Sequence, residues 1–175
     1  MKSACTHRKS SGFTGIELLV TLVIAAILAA LAVPSFSSLV NDTRLSSTMA
    51  RLAADLNRAR SEAIKRNMRV LVCVRDAAGT NCGAGTDWSN GWLVCYDGNQ
   101  DSSCDAASAS DPNPLAIQQA LKENMALTAN ANLVRFNPSG TQGAGGAATL
   151  TLNGTWAGAQ TKMASIAATG NISRQ

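Results

Sequence analysis

The residues in this chain best suited to covalent chemistry are four cysteines in two segments of identical spacing. Cys73 and Cys82 bound the segment CVRDAAGTNC, and Cys95 and Cys104 bound CYDGNQDSSC. Each segment begins in an apolar run and ends beyond a turn-rich stretch, which favours two local disulfides in an oxidising compartment. Four cysteines still allow three connectivities, and four reduced thiols in a cytosolic core are the alternative. Zinc is disfavoured because there is no C-x-x-C pair and the only histidine is His7.

Oxygen-bearing side chains alternate along the stretch that follows the third of these cysteines. They occupy every second position, at Asp97, Asn99, Asp101, Ser103 and Asp105. Such alternation is typical of the front of an EF-hand calcium loop. The sharp-turn glycine and the bidentate glutamate of that loop are replaced here by Ser102 and Ser108. The sequence therefore favours a solvated loop, with calcium as a candidate ligand and no other cofactor expected.

A row of basic side chains recurs before the first of the four cysteines. Its members are Arg44, Arg51, Arg58 and Lys65 at intervals of seven residues, with Arg60, Arg66 and Arg69 beside them. The interval of seven places the first four on one slowly drifting helix face. Such a row could contact DNA phosphates, or it could be a solvated face that complements acidic neighbours and the carboxyl end of the helix. The net charge of +4 is modest, so bulk charge does not indicate a polyanion-binding protein.

The sequence gives little support to catalysis. Beyond His7 the chain has no histidine, which is the most frequent general base in enzymes. The serines have no evident activating partner, and the glycine-rich stretch Gly143–Gly146 lacks the G-K-[ST] ending of a phosphate-binding loop. We therefore expect a protein that is not an enzyme.

The amino-terminal apolar segment, residues 13–33, contains one carboxylate, Glu17. As a helix, its roughly 21 residues extend about 31 Å, which matches a bilayer core. The basic residues before it place the remainder of the chain outside the cytoplasm. A lone carboxylate costs about 2.5–3.5 kcal/mol at the centre of a membrane helix, so a partner cation is expected. The alternatives are a permanent anchor and a secretory signal cleaved after Ala30-Leu31-Ala32.

The stretch GFTGIELLVTLVIAAILAALAVPSF resembles the class III signal of type IV pilins and type II secretion pseudopilins. This resemblance implies that a prepilin peptidase cuts between Gly12 and Phe13, and that the new amino terminus at Phe13 is methylated. The new amine would then supply the cation for Glu17, within the subunit or from a neighbour in a growing filament.

Three further stretches resemble the GspH/FimT branch of minor pilins: Ala59–Asn67, Gly91-Trp92 and Phe136–Gly140. This resemblance implies a subunit that helps initiate or cap a type IV pilus or type II secretion pseudopilus. Its partners would be other major and minor pilins or pseudopilins, the prepilin peptidase and inner-membrane lipid. Some members of the FimT branch resemble DNA receptors for natural transformation, with arginines near the carboxyl terminus, where this chain has Arg174. Double-stranded DNA is thus the alternative partner.

A long helix and a set of short strands must position these residues. Apolar residues recur at helical spacing beyond residue 35: Leu45, Met49, Leu52, Leu56, Ala59 and Ala63. Asp55 and Glu62 are expected to pair with basic residues across turns of the exposed side. Alternating or apolar runs predict strands over residues 69–75, 92–96, 133–136, 148–152 and 163–168, while residues 115–121 fit either a strand or a helix.

Together these elements predict an α+β fold, in which a long amino-terminal helix packs on a small antiparallel sheet domain. The first half of the helix is expected to be transmembrane and the second half amphipathic. The predicted segments are a cleaved leader (1–12), the transmembrane and assembly half (13–34), the amphipathic half (35–67) and a β-rich head (68–175). A single-pass protein of the bacterial inner membrane follows, with its head in the periplasm.

Overall fold

A computed structural model describes residues 12–107, 112–143 and 147–175, excluding the side chains of residues 30–35. The predicted leader lies outside these residues except for Gly12. The chain divides into two compact units, one ending at Ser37 and the other spanning Ser38–Gln175. The elements are α1 (Gly15–Arg66), β1 (Val70–Val74), β2 (Trp92–Tyr96), β3 (Ala116–Ile117), β4 (Met125–Ala129), β5 (Leu133–Phe136), β6 (Ala148–Gly154), β7 (Lys162–Ile166) and β8 (Ile172–Arg174).

In the first unit, the apolar side chains just before and along the start of α1 are exposed. Phe13 is 77% exposed and Ile16 71%, and the leucines and valines that follow as far as Leu28 are also exposed. Among the described residues, no helix has both the length and the hydropathy of a membrane span.

The second unit contains two antiparallel four-stranded sheets. The first has the strand order β3-β2-β1-β5 and the second has the order β4-β6-β7-β8. The predicted strands at residues 92–96 and 133–136 form as expected, and residues 115–121 contribute only the two-residue β3. Two strands, β4 and β8, were not predicted from the sequence. The α+β fold of a helix on antiparallel sheets is confirmed.

The hydrophobic core of the second unit lies between α1 and the two sheets. All six residues of the predicted helical stripe are buried there. Alternate residues of β1 and β2 face them, among them Val72 and Trp92, and the second sheet adds Leu127, Leu150 and Ile166. The strict alternation in β6 follows from a sheet that is apolar on one face only.

The opposite face of the first sheet is buried as well. Register pairs Cys73 with Leu93 and Leu71 with Cys95, so these four side chains share one face, and all are fully buried. Disulfides join Cys73 to Cys82 and Cys95 to Cys104, each across nine residues of sequence. The predicted local pairing is therefore confirmed. Each bridge fastens the irregular segment after its strand, at a stabilisation of about 2.5–3 kcal/mol on the chain-entropy estimate.

At its carboxyl end, α1 stops in a left-handed turn at Asn67, whose φ is 51°. Asparagine tolerates this conformation, and the Met68 N–H donates back to the Ala63 carbonyl at 3.3 Å. The basic residues Lys65 and Arg66 lie in the last helical turn, where they complement the partial negative charge of the helix end.

Candidate functional site

The carboxylate of Glu17 caps the amino terminus of α1. Its Oε2 atom accepts a hydrogen bond from the Thr14 backbone N–H at 3.4 Å and one from the Thr14 hydroxyl at 3.3 Å. The Glu17 N–H donates in turn to the Thr14 hydroxyl oxygen at 3.4 Å. This reciprocal pattern is a capping box, which satisfies backbone donors that the helix cannot pair internally. The T-x-x-E signature at Thr14–Glu17 is visible in the sequence, but the capping box was not predicted from it.

The capping box also places the carboxylate beside the predicted processing site. The Thr14 N–H that it binds lies one residue from the amide nitrogen of Phe13, which cleavage after Gly12 would turn into an ammonium group. Since Phe13 and Glu17 are both exposed, a neighbouring chain could approach them too. Cleavage and methylation themselves stay predictions.

Three carboxylates of α1 accept hydrogen bonds from aromatic side chains of the head. Asp55 Oδ2 accepts from the Trp92 indole N–H at 2.9 Å, and Glu62 Oε2 accepts from the Tyr96 hydroxyl at 3.2 Å. A third bond, from the Trp156 indole to Asp42 Oδ1, measures 3.1 Å. The exposed-side pairing predicted for Asp55 is therefore wrong, because its flank of the helix faces the buried Trp92. Glu62 does form the predicted pair with Lys65, at 3.6 Å.

Electrostatics around Glu62 favour its charged form. Burial raises the pKa of this carboxyl, but the Tyr96 hydrogen bond and the charges of Lys65 and Arg66 outweigh burial and lower it overall. Burial raises the pKa of Tyr96 and outweighs the charge of Arg66, which acts to lower it. Arg66 contacts both partners, since its Nε lies 3.3 Å from Glu62 Oε2 and its guanidinium lies 4.9 Å from the centre of the Tyr96 ring. The end of α1 is thus fixed to β2 by a charged and aromatic cluster.

We expect Asp55→Ala to lower the free energy of unfolding by about 1–3 kcal/mol, because it leaves the buried indole N–H of Trp92 without an acceptor. Asp55→Asn, which keeps an acceptor oxygen, should lower it less. Chemical unfolding of the full chain in nonionic detergent, followed by tryptophan fluorescence, measures the difference. Arg58→Ala, one turn along on an exposed position, is the control and should change stability by no more than about 0.5 kcal/mol. Equal losses for Asp55→Ala and Arg58→Ala would contradict the assignment.

Two of the three stretches that resemble the GspH/FimT branch, Ala59–Asn67 and Phe136–Gly140, meet in space around Arg60. The Arg60 Nε donates to the Gly140 carbonyl at 2.9 Å, and its Nη2 donates to the Thr169 carbonyl at 3.3 Å. A Cβ added at Gly170 would lie 2.0 Å from the Gly140 carbonyl oxygen, so only glycine allows this approach. Residues from the helix, the turn after β5 and the turn before β8 are therefore joined at one point. Arg60 therefore has a structural role.

The structure divides the candidate DNA contacts between two flanks of the helix. Arg44, Arg51 and Arg58 are exposed on one flank. Arg60 lies about 200° around the helix from Arg58, and Arg174 lines a separate cavity with Ser46 and Met49. Lys65 and Arg66 both pair with Glu62. The seven residues thus do not form one continuous surface.

The carboxylates of the candidate calcium loop each have a separate partner within the head. Asp97 is fully buried, with its Oδ2 atom 3.3 Å from Arg69 Nη2. Asp101 accepts from the Asn99 amide at 2.9 Å, and Asp105 accepts from the Gly98 N–H at 2.6 Å. Within the described ranges, the only metal-type cluster is that of the four cysteine sulfurs, which lie within 4.8 Å of one another and are all in disulfides. Calcium binding stays a prediction.

The buried ion pair of Asp97 was not predicted from the sequence. Arg135, which shares a sheet face with Leu71 in the register of β1 and β5, lies close by and donates to the Ser102 hydroxyl. Burial and the neighbouring charge of Arg69 lower the pKa of Arg135. The loop that carries Asp97 therefore contacts two cationic side chains, and Asp97 has a structural role as the buried partner of Arg69.

Comparisons with known proteins agree with this architecture. The family described as type II transport protein GspH matches residues 48–170, and the prokaryotic N-terminal methylation motif matches residues 7–33. No curated protein sequence matches the chain.

Two crystal structures of the type IV minor pilin FimU from Pseudomonas aeruginosa (strain PAO1) share the fold. One has a TM-score of 0.56 at 19% identity and covers 76% of this chain and 89% of that chain. The other has a TM-score of 0.54 at 19% identity and covers 74% of this chain and 91% of that chain. The predicted resemblance is thus confirmed: the chain belongs to the GspH family of pilin-type and pseudopilin-type subunits.

Proposed function

We propose that this chain is a minor filament subunit, cleaved between Gly12 and Phe13 by a prepilin peptidase and methylated at Phe13. The observation that carries the proposal is the position of Glu17, which caps an exposed apolar helix start inside a methylation motif. An exposed apolar helix start is suited to packing against the same segment of neighbouring subunits. Residues 13–34 anchor the unassembled chain in the inner membrane, and the head lies in the periplasm.

Assembly follows from the charge balance at the amino terminus. The ammonium group that cleavage creates at Phe13 neutralises Glu17 of the same or an adjacent subunit, which offsets the cost of holding a carboxylate in an apolar filament core. Other major and minor pilins or pseudopilins are the partners. The two disulfides suit an oxidising periplasm.

The specific role that we propose is to initiate or cap the filament. The fold likeness to FimU supports this role, because FimU is itself a minor pilin. A subunit that initiates or caps is needed once per filament, whereas a bulk subunit is needed along its whole length.

Deleting the gene should therefore reduce the number of filaments per cell, or secretion through the pseudopilus, while the amount of the major subunit stays unchanged. Immunogold labelling of an epitope-tagged chain in the complemented strain should mark filament ends. Labelling spread evenly along filaments, or filament numbers equal to wild type after deletion, would contradict the proposed role.

A further inference from the structure

Between α1 and the segment after β3 lies an open cavity of about 390 Å³, continuous in its lining with a second of about 210 Å³. We call it the basic groove. It is lined by Arg44, Ser47, Thr48, Arg51, Gln118 and Lys122. Both cavities lie within the second compact unit, and the described residues that line them include no carboxylate.

The cations of the basic groove are free to bind a partner. The side chains of Arg44, Arg51 and Lys122 are exposed and form no hydrogen bond or ion pair with any described residue. The carboxylates of the same helix do not neutralise them, since Asp42, Asp55 and Glu62 are bound to Trp156, Trp92 and Tyr96. Glu123 lines an adjoining cavity with Arg44 and Lys122, and it forms no ion pair with either in the described part of the chain. The Thr48 hydroxyl lies between the two arginines in the sequence and supplies a neutral donor, whereas the Ser47 hydroxyl already donates to the Thr43 carbonyl at 2.8 Å and offers only an acceptor.

The wall of the basic groove opposite α1, which carries Gln118 and Lys122, is held in place by backbone hydrogen bonds. The Gln118 N–H donates to the Trp92 carbonyl and the Leu121 N–H to the Ser89 carbonyl, each at 2.8 Å. A ligand therefore meets cations on two opposed and fixed walls. Such preorganisation of the two backbones reduces the entropy lost on binding, while the exposed cationic side chains are ordered only by the ligand.

We propose that the basic groove docks an acidic segment of a neighbouring filament subunit, through carboxylates that bind Arg44, Arg51 and Lys122. The size of the site favours a polypeptide over duplex DNA. Proteins that bind DNA commonly neutralise about six to ten phosphates, whereas this groove offers three cations and the remaining candidate contacts lie elsewhere.

The chemistry of Gln118 points in the same direction. Its Oε1 atom is buried without a hydrogen-bond donor among the described residues. If the terminal amide turns toward the groove, the backbone N–H of a bound polypeptide can satisfy this oxygen. A phosphodiester backbone has acceptors but no donors, so it cannot do so.

This inference rests on the proposed function, since only an assembled subunit has such a neighbour. Its test does not require assembly. Fluorescently labelled hexaglutamate, as the probe, is titrated with the full chain in nonionic detergent at low ionic strength, where screening is weak. If hexaglutamate does not bind, this inference fails, but the proposed function does not, because incorporation into filaments is tested separately in cells.

The variants Arg51→Gln and Lys122→Gln remove one cation from each wall, and each should weaken hexaglutamate binding about threefold to fivefold. Arg51→Lys should keep most of the affinity. Arg58→Gln is the matched control, because it removes the same charge from the same helix flank one interval of seven residues beyond Arg51, outside the groove. Its affinity should equal that of the wild type. All three positions are exposed, and circular dichroism checks that each of the four variants is folded.

Several results would overturn the inference. One is absence of hexaglutamate binding, and another is equal weakening by Arg58→Gln and Arg51→Gln, which would indicate a general effect of helix charge. A third is tighter binding of a short DNA duplex than of hexaglutamate at about 0.15 M salt, with the loss confined to Arg51→Gln and Lys122→Gln. That result would assign the groove to nucleic acid.

Discussion

Replacing Glu17 with alanine is expected to abolish incorporation of the chain into filaments, while its amount in the membrane fraction stays unchanged. The carboxylate is the group that the Phe13 ammonium must neutralise, and without it the ammonium is left unpaired in an apolar filament core. Immunoblots of sheared filaments and of membranes from the same cells measure both quantities. Normal incorporation of the alanine variant would contradict the pairing.

The capping box at Thr14 and Glu17 allows charge to be separated from helix capping. Glu17→Gln removes the charge but keeps a side chain that is suited to a capping box. Thr14→Ala removes the capping hydroxyl and keeps the carboxylate. The account predicts that Glu17→Gln fails to assemble and that Thr14→Ala assembles. The reverse pattern would show that Glu17 acts by capping α1.

Replacing Gly91 with alanine is expected to destabilise the head by at least about 3 kcal/mol. The residue has a φ of 97°, and an added Cβ would lie 2.1 Å from the Gln118 carbonyl oxygen. That carbonyl belongs to a segment fixed against β2 by backbone hydrogen bonds, so it cannot move aside without loss of those bonds. Thermal unfolding followed by circular dichroism measures the loss.

Gly85 is the matched control for this substitution. Its φ of 91° is similar, but an added Cβ there would meet no atom within 4 Å. Gly85→Ala should therefore cost only the backbone strain of about 1–2 kcal/mol. If Gly91→Ala and Gly85→Ala are equally destabilised, the close approach to Gln118 does not matter for folding.

Sequence periodicity predicted the elements whose pattern is local. The stripe from Leu45 to Ala63 repeats at helical spacing, and all of its members are buried. The strand at residues 92–96 is a short apolar run next to a turn, and its bounds match β2. β4 was missed because its sequence, MALTA, contains alanines that fit helix, strand or loop equally well. β8 has three residues, too few to show a period.

Contacts that depend on tertiary packing could not be predicted from the sequence. Asp55 lies at a helical spacing that suits pairing with basic neighbours, and nothing local reveals that Trp92 would present its indole N–H to it. The structural role of Arg60 has the same origin, since its angle from Arg58 follows from helical spacing but its contact with the Gly140 carbonyl does not. Helical spacing fixes the angle between two side chains, but it does not identify what lies opposite them.

Mass spectrometry of the mature chain purified from membranes tests the central claim most directly. The account predicts an amino terminus at Phe13 that carries one methyl group, because only cleavage after Gly12 creates the ammonium that Glu17 requires. A chain that retains its first twelve residues in assembled filaments, or one that begins at Val33, would contradict the account.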